Sequence, residues 1–462
     1  MALAQFMVVL DVAIVNVALP TMNRELHFPA GSLQWVITAY TLTFGGFLLL
    51  GGRAADLFGR RRLFITAVSL FAFFSLLCGL AATDTQVIIA RAFQGLAAAF
   101  MSPAALSIVL SEFREGPERN KAMGIWAAVS AGGAAAGVLI GGVLTQYFGW
   151  RWNFFVNVPV GIGVVLGSMR LLPHHIGEEK RVKLDLPGAV LATAGLMSIV
   201  YGLSKAPSDG WGSTTVWAFI VGGLVLLTAF VFNESRTDQP LMPLSIFKIR
   251  NVAGANAAFL VIACTLFSMF FFLTLYVQQV LGYSPVKTGF CFLPVTIIVA
   301  IFSGIVSNLV GKIGYKPPMN LGPVFIAIGL FVLSETMKVG GNYWHNVFPG
   351  LAIFAAGMGF TFVSGTLAAT SGVPKHFSGL ASGLLNTSQQ VGGAIGLAIL
   401  SAVAFSTLKT ELMKGTSPAA AQVQGYKSGM HVAVGLALAA AVVVFFVVKN
   451  HKVDAREAMM AG

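Results

Sequence analysis

The chain has 462 residues, of which 56% are hydrophobic and only 10% are charged, and its formal net charge is +12. Its mean hydropathy is +0.82. Ordinary soluble domains carry roughly 25% charged residues, so this composition excludes a soluble globular protein. It also argues against nucleic acid as a partner, because no polar segment is long enough to form a nucleic-acid-binding domain.

Apolar runs long enough to cross a bilayer follow one another along the chain. Only helices and closed barrels satisfy their backbone groups in hydrocarbon, and runs of about 20 apolar residues without strict alternation are typical of helices. We therefore predict an all-α polytopic membrane protein with fourteen transmembrane helices. They lie near residues 2–22, 33–51, 63–82, 86–110, 122–144, 153–172, 188–204, 214–232, 252–279, 288–310, 319–338, 347–370, 381–405 and 430–449.

An even number of spans places both termini on the same side of the membrane. Lys and Arg are concentrated in alternate loops, beginning with residues 53–62 and ending with the tail after residue 449. The positive-inside rule puts these loops and both termini in the cytoplasm and accounts for most of the net charge. Six of the seven Trp residues then fall at predicted outer ends, as interfacial indoles would: Trp35, Trp150, Trp152, Trp211, Trp217 and Trp344. We expect the protein to lie in the cytoplasmic membrane, surrounded by lipid.

Two charges lie well inside predicted spans, Asp11 in the first and Arg91 in the fourth. A buried charge costs about 2.5 to 3.5 kcal/mol even on permissive insertion scales, so such residues usually serve transport. At 1.5 Å per residue the two are separated by roughly 7 Å along the membrane normal, a distance that an Arg side chain can cover. Burial favours a protonated carboxylate and a nearby cation favours the charged form. We hypothesise that Asp11 carries a coupling proton and Arg91 tunes it; the alternative is a fixed ion pair or an Arg91 that snorkels outward.

A short cluster of glycine and charged residues follows the second span. It comprises Gly52, Asp56, Gly59, Arg60 and Arg61. The same spacing recurs 252 residues later, at Gly304, Asn308, Gly311 and Lys312. Parallel repeats are a known plan of secondary transporters. The repeat predicts an N-terminal six-helix half (1–172), a linker with two extra transmembrane helices (173–250) and a C-terminal six-helix half (251–462).

The fifth predicted span carries a ladder of small residues, Gly133, Gly137, Gly141 and Gly142. Small residues at this spacing let transmembrane helices approach closely. We therefore predict a tightly packed helix pair here.

Candidates for a substrate cavity are polar or aromatic residues on the predicted spans. They are Asn16, Gln34, Tyr40, Gln94, Trp126, Tyr276, Asn386, Gln389 and Gln390. Each is about as well explained by hydrogen bonding between helices. The chain has no nucleotide-binding or zinc-protease motif and no metal-ligand spacing among its three cysteines, so we expect neither an enzyme nor a metal site.

Five stretches resemble the fourteen-span drug:proton antiporters of the major facilitator superfamily. In chain order they are LDVAIVNVALP (10–20), GRAADLFGRRR (52–62), RAFQGLAAA (91–99), WRWNFFVNVP (150–159) and SGLASGLLNTSQQVGGAIG (378–396). The resemblance covers essentially the whole chain and implies the major facilitator fold, with a gating loop at 52–62. Two departures stand out. Family members commonly have Pro after Gly137, where this chain has Val138. They also commonly have a short polar lead before the first span, whereas the given sequence opens directly in an apolar run.

We expect a secondary transporter that exports amphipathic organic compounds by alternating access at a midplane cavity. The proton gradient supplies the energy and no cofactor is needed, and a monomer is the working expectation. The alternatives are a transporter of one metabolite, such as a sugar, a siderophore or an amino acid, on the same fold, or a membrane sensor or channel.

Overall fold

A computed structural model describes residues 1–29, 31–113, 117–172, 184–373 and 378–450 of the chain. Within these residues fourteen helices are long and apolar enough to span a membrane, which confirms the predicted number and the all-α class. The contacts divide the chain into two compact units. The first comprises Met1–Phe28, Trp35–Met197 and Gly223–Pro243, and the second comprises Pro29–Gln34, Ser198–Gly222 and Leu244–Gly462.

The helices of the first unit are α1 (Ala2–Leu26), α2 (Trp35–Phe58), α3 (Arg60–Leu80), α4 (Asp84–Glu112), α5 (Pro117–Tyr147), α6 (Trp152–Phe155) and α7 (Asn157–Leu171). The extra pair is α8 (Leu186–Asp209) and α9 (Thr214–Arg236). The second unit holds α10 (Arg250–Leu275), α11 (Pro285–Ile313), α12 (Lys316–Thr336), α13 (Tyr343–Asn346), α14 (Phe348–Thr370), α15 (Ser378–Met413) and α16 (Pro418–Val447). Because the two units cut through α8 and α9, the predicted boundaries at residues 172 and 250 stay a prediction.

The last two spans are longer than predicted. The sequence predicts a long connection from 405 to 430, whereas α15 continues to Met413 and α16 already begins at Pro418. Proline fits the first turn of a helix, where its missing N–H is not needed, and the alanines that follow it are the best helix formers. Polar residues in the first turns of α16 concealed its start.

The predicted glycine ladder of α5 packs against α1. A β-carbon at Gly137 would lie 2.7 Å from Ala13 and 3.0 Å from the Leu10 carbonyl, and one at Gly141 would lie 2.8 Å from Ile14. A β-carbon at Gly133 would also be tightly placed, 3.3 Å from Phe6, and Gly142 is buried in the same helix. The backbones of α1 and α5 therefore touch on both sides of Asp11.

The closest approach of α2 to α4 occurs at Gly51, where a β-carbon would collide with the carbonyl group of Ala99. A β-carbon at the neighbouring Gly52 would meet nothing nearer than Pro103, at 4.0 Å. One residue along a helix is a rotation of 100°, so the two adjacent glycines face different surroundings.

Glycine also sets the packing within the second unit. A β-carbon at Gly329 on α12 would lie 2.7 Å from the Gly350 carbonyl on α14, and one at Gly357 on α14 would lie 2.6 Å from the Gly322 carbonyl on α12. The hydrophobic effect does not drive helices together inside lipid, so backbone contact of this kind supplies much of the packing energy.

The adjacent glycines of α2 provide a matched pair of variants. We expect Gly51→Ala to lower the free energy of unfolding by about 1 to 3 kcal/mol, because α4 must move away from the added methyl group. Gly52→Ala places the same methyl group in open space, and Ala is the better helix former, so we expect its stability to equal or exceed that of the wild type. Thermal unfolding of the purified variants in detergent measures both effects, and a Gly52→Ala variant as unstable as Gly51→Ala would contradict the assignment.

Candidate functional site

Asp11 and Arg91 form an ion pair inside the first unit. The Nη1 atom of Arg91 donates to Oδ2 of Asp11 at 2.5 Å, and the two residues are 1% exposed or less. The predicted contact between α1 and α4 is confirmed. Removing one member of a buried pair leaves an uncompensated charge, so the loss of either residue lowers the free energy of unfolding.

The second carboxylate oxygen of Asp11 is held by two amides. Gln94 and Asn157 each donate a side-chain N–H to Oδ1, both at 2.9 Å. Asn157 also donates to the hydroxyl of Ser75 at 3.0 Å, and Ser75 donates onward to the carbonyl of Phe154 at 2.9 Å. The carboxylate therefore accepts hydrogen bonds from α4 and α7, and Ser75 connects the network to α3. Three side-chain donors, from Arg91, Gln94 and Asn157, therefore converge on one carboxylate, and bonds to a charged acceptor are stronger than neutral ones.

Arg91 has partners beyond the carboxylate. Its Nε atom donates to the carbonyl of Val36 at 3.0 Å, and Nη1 also donates to Oε1 of Gln94 at 2.9 Å. The guanidinium carbon lies 4.1 Å from the ring centre of Tyr40 and 5.9 Å from that of Phe154. Cation–π contacts of this kind gain strength where water is absent.

Tyr40, whose ring lies beside Arg91, also carries a hydroxyl group next to the ion pair. Its side chain is fully buried on α2, and its hydroxyl has no hydrogen-bond partner among the described residues. An unpaired buried hydroxyl is costly and is often retained where function requires it. Protonation of Asp11 would remove the negative charge that holds Arg91, and the guanidinium would keep its carbonyl, amide and aromatic partners.

The stretch 150–159 supplies the residues that the sequence interpretation missed. Asn157 and Phe154 both belong to it; Phe154 lies on the short helix α6 and Asn157 begins α7. Arg151 lies 4.5 Å from the ring centre of Trp150 and pairs with Glu25 at 2.9 Å. That ring is fully buried, and its Nε1 donates to Glu25 at 2.8 Å.

A family model for the Major Facilitator Superfamily matches residues 1–397. The chain belongs to this superfamily. It is 41% identical to the puromycin resistance protein pur8 of Streptomyces alboniger, over 98% of this chain and 91% of that protein. It is 39% identical to the cephamycin export protein CmcT of Amycolatopsis lactamdurans, over 87% of this chain and 83% of that protein.

Solved structures agree on the fold. The crystal structure of the POT family transporter PepTSo superposes with a TM-score of 0.70 at 17% identity, covering 100% of this chain and 98% of that chain. This major facilitator protein is a multi-pass membrane protein, and the superfamily transports small molecules.

The predicted gating loop forms a tight turn between α2 and α3 of this major facilitator protein. Gly59 has a φ of 82°, which a residue with a side chain rarely adopts. Arg61 donates from Nη2 to the carbonyl of Met169 at 2.7 Å, in the last turn of α7, where a cation is favoured by the helix dipole. Arg60 is exposed, and the side chain of Asp56 lies outside the described residues.

The register of the predicted second-half repeat is wrong. Gly304, Asn308, Gly311 and Lys312 all lie within α11, and Asn308 donates to the carbonyl of Gly304 one turn earlier. The turn that corresponds to Gly59 is at Gly314, with a φ of 83°. A shift of 255 residues superposes the two turns and aligns Arg61 with Lys316. Lys316 donates to the carbonyl of Phe445 at 2.8 Å, in the last turns of α16, so both halves use the same contact.

The substrate-cavity candidates fall into three groups. The first group, Tyr40 and Gln94, belongs to the network around Asp11. The second is occupied in local bonds: Asn16 and Asn386 donate to carbonyls one turn earlier, Tyr276 exchanges hydrogen bonds with the backbone of Lys338, and Trp126 packs on the apolar core of the first unit. The third group is Gln34, Gln389 and Gln390. Both amide atoms of the buried Gln34 and the Oε1 atom of Gln390 have no partner among the described residues.

The ion pair predicts a non-additive pair of variants. Arg91→Gln leaves the Asp11 charge buried without its cation, so we expect a loss of about 3 to 5 kcal/mol in the free energy of unfolding. The double variant Asp11→Asn with Arg91→Gln removes both charges, and we expect it to be clearly more stable than Arg91→Gln alone. Unfolding by denaturant in mixed micelles measures the coupling, and strictly additive losses would contradict a direct buried pair.

Proposed function

We propose that this major facilitator protein is a secondary transporter that exports amphipathic organic compounds from the cell in exchange for protons. The observation that carries the proposal is the buried, hydrogen-bonded ion pair of Asp11 and Arg91. A carboxylate buried in this way lowers the stability of the protein. A transporter can retain such a group because it binds and releases a proton. The proton gradient then takes the place of a cofactor.

The geometry of the site supports a specific coupling step. When Asp11 is charged, it holds Arg91 and the two amides of Gln94 and Asn157. When it binds a proton, it loses its attraction for Arg91, and the bonds that join α1 to α4 and α7 weaken together. A change in charge at one atom thereby alters the contacts of three helices, which is the kind of bistable element that alternating access requires.

The names of the relatives support the substrate class. Curated relatives along most of the chain include a puromycin resistance protein, a cephamycin export protein and a tetracenomycin C resistance and export protein from Streptomyces glaucescens. We therefore propose export of antibiotic-like compounds across the cytoplasmic membrane by a monomer with both termini in the cytoplasm. The basic loops that follow the positive-inside rule support this orientation.

Proteoliposomes with an imposed pH gradient test the coupling. We expect a panel of compounds that includes puromycin and cephamycin to dissipate the gradient through the wild-type protein. We expect Asp11→Asn to abolish this dissipation, because an amide cannot exchange a proton, and binding of the same compounds to persist. Asp209→Asn, at an exposed carboxylate on α8, is the matched control and should behave as the wild type.

Two outcomes would contradict the proposal. The first is an Asp11→Asn variant that still exchanges the compounds for protons. The second is a wild-type protein that leaves the gradient intact with every antibiotic but dissipates it with a labelled sugar, siderophore or amino acid. Uptake into everted vesicles gives the direction of transport in the same experiment.

A further inference from the structure

A second pair of buried acidic residues lies on the extra helices, away from Asp11. Asp185 precedes α8 and is 5% exposed, and Glu234 lies near the end of α9 and is 3% exposed. The two carboxyls face the same small space beside Gly188. Two carboxylates cannot both stay charged side by side in a buried site.

Asp185 accepts hydrogen bonds on both of its carboxylate oxygens. Its Oδ1 accepts the backbone N–H of Gly188 at 2.9 Å, which caps the first turn of α8. The amide of Asn233 donates to both of its oxygens, at 3.0 and 2.9 Å. Every donor that reaches Asp185 stabilises a carboxylate.

Glu234 is satisfied on one oxygen only. Its Oε2 accepts the backbone N–H of Met242 at 2.8 Å, whereas its Oε1 is buried and has no donor among the described residues. A β-carbon at Gly188 would lie 2.9 Å from Oε1 and would also collide with Oδ2 of Asp185, so the two oxygens face the same small space. A proton on Oε1 of Glu234 would supply the missing donor and point it at Asp185.

The surrounding charge favours a single proton. Among the described residues, the charged side chain that acts on both carboxyls is Arg53 of α2. One guanidinium, one carboxylate and one carboxylic acid make a neutral cluster, whereas two carboxylates would leave a buried negative charge. Arg53 itself donates to the carbonyls of Gln239, at 2.6 Å, and Pro240, in the turn that follows α9.

That turn, residues 237–243, is fixed to α2 and α8 by further contacts. Leu241 is buried with Leu50 of α2 and Ala189 of α8. One turn earlier on α2, a β-carbon at Gly46 would lie 3.1 Å from the Cβ of Thr193 on α8. The extra helices therefore contact α2 along the part that ends in the Gly59 turn.

We propose that Asp185 and Glu234 form a second proton-binding site, in which one shared proton locks the turn 237–243 onto Arg53 of α2. Loss of that proton to water leaves two adjacent carboxylates, and the Arg53 guanidinium moves from the carbonyls of the turn to the new charge. The turn is then released from α2. The extra helices thus act as a pH-dependent brace on the helix that leads into the gating loop, independently of the proton exchanged at Asp11.

Infrared titration of the purified protein tests the shared proton. From about pH 5 to about pH 9 we expect a carboxylic-acid carbonyl band whose loss marks the deprotonation of the pair. Glu234→Gln keeps an N–H donor toward Asp185 and an acceptor for Met242, so it should fold normally and lack the band. Asp185→Asn is a second variant with the same expected loss, and Asp11→Asn should retain the band. A band that is unchanged in both Glu234→Gln and Asp185→Asn would overturn the proposal.

Hydrogen exchange tests the brace. A proton held more tightly in the folded protein stabilises it at low pH, and that stabilisation is lost as the pH rises. After correction for the intrinsic exchange rate, we expect the protection of residues 237–243 in the wild type to fall at high pH. In Glu234→Gln we expect it to persist, since the amide cannot ionise. Equal pH dependence in the two proteins would overturn the brace, whatever the result of transport assays on Asp11.

Discussion

The structure of the first unit depends on the burial of one ion pair in a medium that cannot solvate it. Asp11 and Arg91 persist because each of their polar atoms described above has a partner, and besides each other those partners lie on α2, α4 and α7. The pair therefore does more than connect α1 to α4. It determines where Gln94, Asn157 and the carbonyl of Val36 must lie, and through Ser75 it also constrains α3. In hydrocarbon a single unpaired charge would cost as much as several helix contacts provide.

The close approach of helices is the second requirement of this site. α1 can hold Asp11 beside α4 and α7 only if α5 covers its other face without a gap. Gly137 and Gly141 bring the backbone of α5 against Leu10 and Ile14, on either side of the acidic residue. The absence of the family's usual Pro after Gly137 does not interrupt this contact, since α5 continues as one helix through Tyr147.

The sequence was sufficient for the class, the number of spans and the central pair, because all three follow from where charge is tolerated in a membrane. It was insufficient for Asn157, whose contact with Asp11 joins residues 146 positions apart. The repeat register failed for a different reason. The predicted register rested on four matching residues in a glycine-rich chain. It did not use the helix-end signal at Gly314, a glycine that precedes Pro317 and Pro318. The positive φ at that glycine, which only the backbone reveals, locates the repeat.

Once the two turns are superposed, the halves share a contact as well as a fold. Arg61 caps α7 and Lys316 caps α16, and each of these helices is the last of its bundle. The extra helices have no counterpart in this repeat, and the turn after α9 contacts α2 through Arg53, only six positions before the Gly59 turn. An insertion between two halves can affect the motion of one half only if it touches a part that moves, and the contact with α2 satisfies that condition.

The aromatic rings beside Arg91 have a consequence for how the ion pair can open. A guanidinium that leaves a carboxylate is normally stabilised by water. The partners described above for Arg91 are instead groups of the protein. Tyr40 and Phe154 instead present the electron-rich faces of their rings to the cation. A planar guanidinium can slide across such faces while it stays in contact with them, whereas the compact, strongly hydrated ammonium of lysine cannot do so at comparable cost. In the proposed coupling step, the two rings thus keep an electron-rich surface beside the cation as it leaves Asp11.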